Sequence, residues 1–225
     1  MREIEDYDTI SDTFESEMTL KGSRFIGIAM PCPDAESIRM NLDTVASKYP
    51  NATHYCYATI FDGSERNRRA SDNGEPSGTA GVPILTVLQR NHLHNSIAVV
   101  TRYFGGIKLG AGGLIRAYSN ATSTAIEAVG VVKRVRQRAI QLTVDYANYD
   151  RLAHYLTENA ITILETLYTT AVTVTIAVDL PAVEATQQAI TDLLSDRLTM
   201  QLGDVDYHEI PVEIHASSRD DASTD

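Results

Sequence analysis

The chain has 225 residues, 43% apolar and 22% charged, a composition that suits a folded protein with one large core or two smaller ones. Thirty acidic against 19 basic residues leave a formal charge of −11, which opposes any broad coating of nucleic acid and confines a polyanion site to a local patch. No run approaches the roughly 18 apolar residues of a membrane span, the acidic start MREIEDYDTISDTFE is no signal peptide, and Cys32 and Cys56 lack metal spacing, so a cytoplasmic protein with reduced thiols and no membrane contact is expected.

In chain order, Phe14 to Leu20 alternates apolar and polar residues, the period of a strand, and a turn at Gly22-Ser23 leads into a second strand, Arg24 to Met30. Ile38, Leu42, Val45 and Tyr49 are spaced as one helix face, with Asp34 as N-cap and Pro50 as stop. ATHYCYATIF reads as a strand with Tyr55 and Tyr57 on one face and His54, Cys56, Ala58 and Ile60 on the other. Residues 62–78 form a long loop whose order the sequence leaves open; a helix follows, capped by Thr79 and tolerating Pro83 in its first turn. SIAVVTRYF is a buried strand, and a glycine-rich turn leads into a helix with Leu114, Tyr118, Ala121, Ala125 and Ala128 inward, closed by Gly130.

The second half is a βαββαβ series: a strand with Ile140, Leu142 and Val144 on one face, and a helix from about Asn148 to Asn159. The strands ITILETLY and AVTVTIAVD follow, then a helix with Pro181 near its start and a last strand ending near Ile210. The expected division is an α+β domain over 1–132, a basic linker over 133–138, a ferredoxin-like βαββαβ domain over 139–212 and a polar tail over 213–225.

Cations gather in a few places: Arg66, Arg68 and Arg69 in the long loop; Arg102, Lys108 and Arg116 around the glycines; and the run KRVRQR. The stretch TRYFGGIKLGAGGLIRAYSNA combines Gly105, Gly106, Gly110, Gly112 and Gly113 at a strand–loop–helix junction. Bare backbone, unpaired amides and a helix start suit an anion, with Arg102, Lys108 and Arg116 adding charge and Tyr103 and Phe104 a stacking face. The competing reading is a tight turn with Phe104 in the core. Lys21 and Arg24 extend the phosphate-binding set. In SDNGEPSGTAG, the residues Asp72, Gly74, Glu75, Ser77 and Thr79 form a secondary loop that either caps the next helix or performs acid–base work. No ligand spacing supports a metal or cofactor, and none is assigned. His54 reads as a core histidine, His92 and His94 as a surface turn, and KRVRQR as a linker or a continuation of the polyanion groove.

The motifs KGSRFIG, ATHYCYA, SDNGEPSGTAGVPIL and VVTRYFGGIKLGAGGLIRAY closely resemble signatures of the Impact family, and the layout resembles its bacterial, two-domain YigZ-type branch. That resemblance implies an N-terminal Impact domain with a ribosomal-protein-like fold containing a left-handed βαβ crossover, and a C-terminal half like the last domain of elongation factor G. It brings no catalytic assignment, and the kinase-restraining role of eukaryotic members is not carried over. Two functions stand against each other: a non-catalytic translation regulator that binds RNA or the ribosome, and an enzyme acting on a phosphorylated small molecule or nucleotide. A protein-only adaptor is the third case, and the oligomeric state is left open.

Overall fold

A computed structural model describes residues 6–62, 66–195 and 197–212. The predicted tail over 213–225 lies outside the described residues. The chain divides into two compact units, the second spanning Arg134–Glu209.

The first unit is built on an antiparallel sheet of β2 (Phe14–Leu20), β3 (Ser23–Pro31), β6 (Ser96–Tyr103), β4 (His54–Ile60) and β5 (Arg68–Ser71), in that spatial order. A short β1 (Tyr7–Thr9) precedes it. The turn between β2 and β3 is Lys21-Gly22, one residue earlier than the sequence pattern places it. Both residues have positive φ, 46° and 78°, as a two-residue hairpin of this hand requires. The β5 strand and its pairing with β4 are new: part of the long loop folds back onto the sheet.

Period-two alternation sorts the strands' side chains onto two faces. Phe25, Ala29, Cys56, Ala58, Ile60 and Val100 face α2 (Gly81–Arg90) and α3 (Ala111–Val129). Ile26, Ile28, Met30, Ile97 and Val99 pack with Ile38 and Val45 of α1 (Ala35–Lys48) on the other side. Helix α3 lies so close to β3 that a Cβ on Gly27 would run into the Ala121 carbonyl oxygen. Asp34 caps α1 as expected, its carboxylate accepting from the Ser37 amide at 2.8 Å. Thr79 does not cap α2; its hydroxyl donates to the Pro76 carbonyl. The cap comes from further away, because Asp72 accepts from the amides of Ala80 and Gly81 as well as Gly78.

The second unit contains α4 (Tyr146–Glu158) and α5 (Val183–Leu194) and the strands β7 (Val131–Val144), β8 (Thr162–Tyr168), β9 (Val172–Asp179) and β10 (Thr199–Val212), ordered β10-β7-β9-β8, with the short β1 also paired to β7. Its core joins Ile140, Leu142, Val174 and Ile176 to Leu152, Leu156, Ile190 and Leu194 of the two helices. The basic run 133–138 lies inside β7 instead of forming a linker: Gln137 and Arg138 pair with Asp179 and Val178 of β9. Arg134 is held by Glu209 at 2.8 Å, and Arg138 donates to the Gly203 carbonyl. The β-branched Val131, Val132, Val135 and Ile140 give the segment a strand propensity that outweighs the run's linker-like charge.

Gly27→Ala should cost about 1–3 kcal/mol through overpacking of α3 against β3. Urea unfolding followed by circular dichroism measures this; an unchanged midpoint would show that the helix moves aside freely.

Candidate functional site: a cleft over a buried ion pair

The β3–β6 register sets Phe25 opposite Arg102 and Arg24 opposite Tyr103. The two pairs therefore occupy opposite faces of the sheet. Arg24 is exposed, held bidentately by Glu17 at 2.7 and 2.8 Å, with its guanidinium over the Tyr103 ring. Tyr103 packs against the α1-side core and donates to the Pro50 carbonyl at 3.1 Å. Neither is placed with Arg102, and the phosphate-binding set read from the sequence is divided. Lys21 is exposed in the β2–β3 turn, and Arg116 is exposed on α3.

Arg102 points to the α2–α3 face and is only 4% exposed. Its guanidinium donates to Glu75 at 2.5 Å and to the Ser23 hydroxyl at 3.1 Å, and it lies over the rings of Phe25 and Phe104. Its Nε is buried without a hydrogen-bond partner. Glu75, buried despite lying in a loop, also accepts from the Tyr118 hydroxyl at 2.7 Å and lies 3.9 Å from His54 Nε2. His54 is oriented by its Nδ1, 2.8 Å from the Asn73 carbonyl. Gly74, at φ +87°, brings the loop against that imidazole. The loop itself is fixed by the Asp72 carboxylate and its three amide donors. Burial pushes the Asp72 pKa up, but the amides of Gly78, Gly81 and Ala80 outweigh it, so the group lies below the ordinary carboxylate range. Ser77 is exposed and Thr79 is buried.

Above this pair lies a cleft of about 330 Å³, lined by His54, Glu75, Arg102, Phe104, Lys108 and the start of α3 at Gly110 and Ala111. The glycine loop forms one wall. Its base is tied down: the Gly105 amide donates to Ser23 and the Phe104 amide to Thr53. Gly105 sits against Gly22, where a Cβ has no room, whereas Gly106 and Gly110 take φ +86° and +71°. Gly110 provides no side-chain cap to α3, and the first turn has no acid. Gly112 opens onto free space, and Gly113 contacts Leu109. Lys108 is exposed at the mouth.

Sequence reasoning misses two of these residues, His54 and Tyr118, and leaves Phe104 between a stacking face and the core. Alternation puts His54 with the core, but its side chain keeps 17% exposure and lines the cleft. Phe104, not Tyr103, presents an open ring, with 47% exposure. Tyr118 has the spacing of plain helix core, yet it hydrogen-bonds Glu75. Cys56, beneath the site, has its thiol pushed up to about 12 by burial and donates to the Asp72 carbonyl, so it stays protonated and inert. Among the described residues, no group of three His, Cys, Asp or Glu side chains is placed to hold a metal ion.

The same motifs match known proteins. An Impact N-terminal domain model matches residues 21–126, and DUF1949, a domain of unknown function, matches residues 142–197. A Bacillus subtilis protein, "IMPACT family member YvyE", is 34% identical over 206 residues, 92% of this chain and 95% of the relative. The chain belongs to the IMPACT family. A Haemophilus influenzae IMPACT family member is 34% identical over 84% of this chain and 92% of its own length. The Escherichia coli IMPACT family member YigZ is 33% identical over 56% of this chain and 63% of its own. A crystal structure described as a hypothetical protein superposes with a TM-score of 0.57 at 26% identity, covering 88% of this chain and 97% of the other. The cleft belongs to the IMPACT N-terminal domain, since all its lining residues lie within 21–126.

Two outcomes check the site. Glu75→Gln leaves a buried guanidinium without its counter-charge and should cost about 3–5 kcal/mol, whereas Tyr118→Phe should cost about 1 kcal/mol in the same urea titration. Asp72 has a lowered folded pKa, so its contribution is full above the ordinary carboxylate pKa and fades as pH falls through the lower folded value. The stability gap between the native protein and Asp72→Asn should therefore be constant at neutral pH and shrink below about pH 4; a gap independent of pH down to acid unfolding contradicts this.

Proposed function

We propose that the chain is a non-catalytic, cytoplasmic translation regulator that binds RNA or the ribosome through its N-terminal unit. The observation that carries this reading is the sharing of one cleft by an exposed ring, Phe104, an exposed cation, Lys108, and the uncapped start of α3. A base stacks on an aromatic face for about 1–3 kcal/mol, and a phosphate suits amides at a helix start. Lys21 and Arg116 supply further exposed charge around the glycine loop. Cys32 and Cys56 are free and buried, which supports a reducing compartment.

The β3-α1-β4 connection straddling β6 supports a crossover of the ribosomal-protein-like kind in the first unit. The β10-β7-β9-β8 order supports a ferredoxin-like second unit resembling the last domain of elongation factor G.

A second reading draws on one specific contact. His54 and Glu75 face one another inside the cleft, a pairing suited to proton transfer on a phosphorylated small molecule or nucleotide. Turnover of a nucleotide that vanishes in His54→Gln would favour it.

Sedimentation of tagged protein through a ribosome profile, at low and high salt and with ribonuclease, tests the main reading. Co-migration that is lost at high salt and reduced about tenfold in Lys108→Ala or Phe104→Ala is expected. Protein confined to the top of the gradient at every salt level refutes it, and partners that survive ribonuclease point to a protein adaptor.

A further inference from the structure

We infer that the cleft receives a single terminal phosphate monoester, carried by a mononucleotide or by one end of an RNA strand, with its base on Phe104. This deepens the RNA reading above and rests on it for the RNA end, though not for the free nucleotide.

The dimensions suit a single nucleotide. At about 330 Å³ the cleft is at the small end of ligand sites, with room for about one nucleotide. Its floor is sealed by the Glu75–Arg102 pair, both buried, and by Leu114, 5% exposed.

The charge also favours an end. Arg102 and Glu75 neutralise each other, so Lys108 leaves the lining one net positive charge, augmented by the positive pole of the 19-residue α3. A monoester carries about −1.5 to −2 at neutral pH, against −1 for each internal phosphodiester. Concentrating that charge on one group uses the local pole, whereas an extended polyanion meets the repulsion of a chain at −11.

A second observation, independent of the helix start, points to a polar ligand. Arg102 lines the cleft, is 4% exposed, and has a buried Nε with no hydrogen-bond partner. Donors of that kind are seldom left unmatched in a folded protein. The other two helices of this unit each have an acid at the start: Asp34 caps α1 and the Asp72 carboxylate binds the first amides of α2. The start of α3 takes glycines, and a side-chain carbon added at Gly110, which lines the cleft, would meet nothing within 4 Å, so an incoming oxygen finds no obstruction.

Binding measured by fluorescence anisotropy and calorimetry tests this on the full chain. The probes are one short single-stranded RNA with a 5′-phosphate, a 3′-phosphate or hydroxyl ends, its circular form, adenosine monophosphate, and adenosine. A phosphorylated end is expected to bind about tenfold more tightly than the hydroxyl-ended and circular forms, equivalent to one lost charge-assisted contact. Adenosine monophosphate should compete and adenosine should not. Lys108→Ala and Ala111→Asp should abolish the margin without lowering Tm, since both residues are exposed cleft-lining positions and an acid at the first residue of α3 suits a helix start while repelling phosphate. Equal affinity for circular and phosphorylated RNA overturns the inference and leaves RNA binding standing. Monophosphate binding that depends on Lys108, with no RNA bound in any form, keeps the inference and removes the RNA reading. No binding of any probe removes both.

Discussion

The buried pair of Arg102 and Glu75 is the contact around which the first unit is organised. It joins the end of β6 to a loop 27 residues earlier, recruits Tyr118 from α3, and reaches Ser23 at the start of β3. Removing two charges from water is costly, and their mutual attraction offsets that cost only when the remaining hydrogen-bonding capacity is well filled. Here the hydroxyls of Ser23 and Tyr118 fill much of it, and the rings of Phe25 and Phe104 flank the guanidinium. Four separate elements therefore have a defined relative position that apolar packing alone does not specify.

That constraint also creates the cleft. With Glu75 anchored, the loop from Asp72 to Ala80 has to leave the sheet and return at the start of α2, and Asp72 accepts three amides to close it. With Arg102 drawn inward, the glycine loop starts from a fixed root and arches over to α3. The cavity is what lies between the two loops, and its polar floor is the ion pair itself. The same side chains thus hold the two loops and line the cleft between them, and a loss of the pair removes both the floor and its supports.

The fold sorts the chain's cations by what engages them. Arg24 is held by Glu17 and the Tyr103 ring on the α1 side, while Arg134 and Arg138 are held by Glu209 and the Gly203 carbonyl in the second unit. Lys108 stands exposed at the cleft mouth. Lys21 and Arg116 are exposed as well.

Most elements were legible in the sequence because period two and period 3.6 report burial directly. The β2–β3 hairpin, α1 with its Asp34 cap, and the βαββαβ series of the second unit follow from that patterning. The glycine cluster was legible as a backbone peculiarity, and the family motifs as a resemblance. Alternation separates neighbours onto two faces but does not say which helix covers each face, so it could not decide between Tyr103 and Phe104 as the open ring. It could not join His54 to Glu75, since both lie in segments whose local pattern is satisfied without the other. Nor could composition show that Lys133 to Arg138 pairs as a strand. Those outcomes depend on contacts between residues far apart along the chain, and only the pairing of distant strands and the closing of each sheet against its helices determine them.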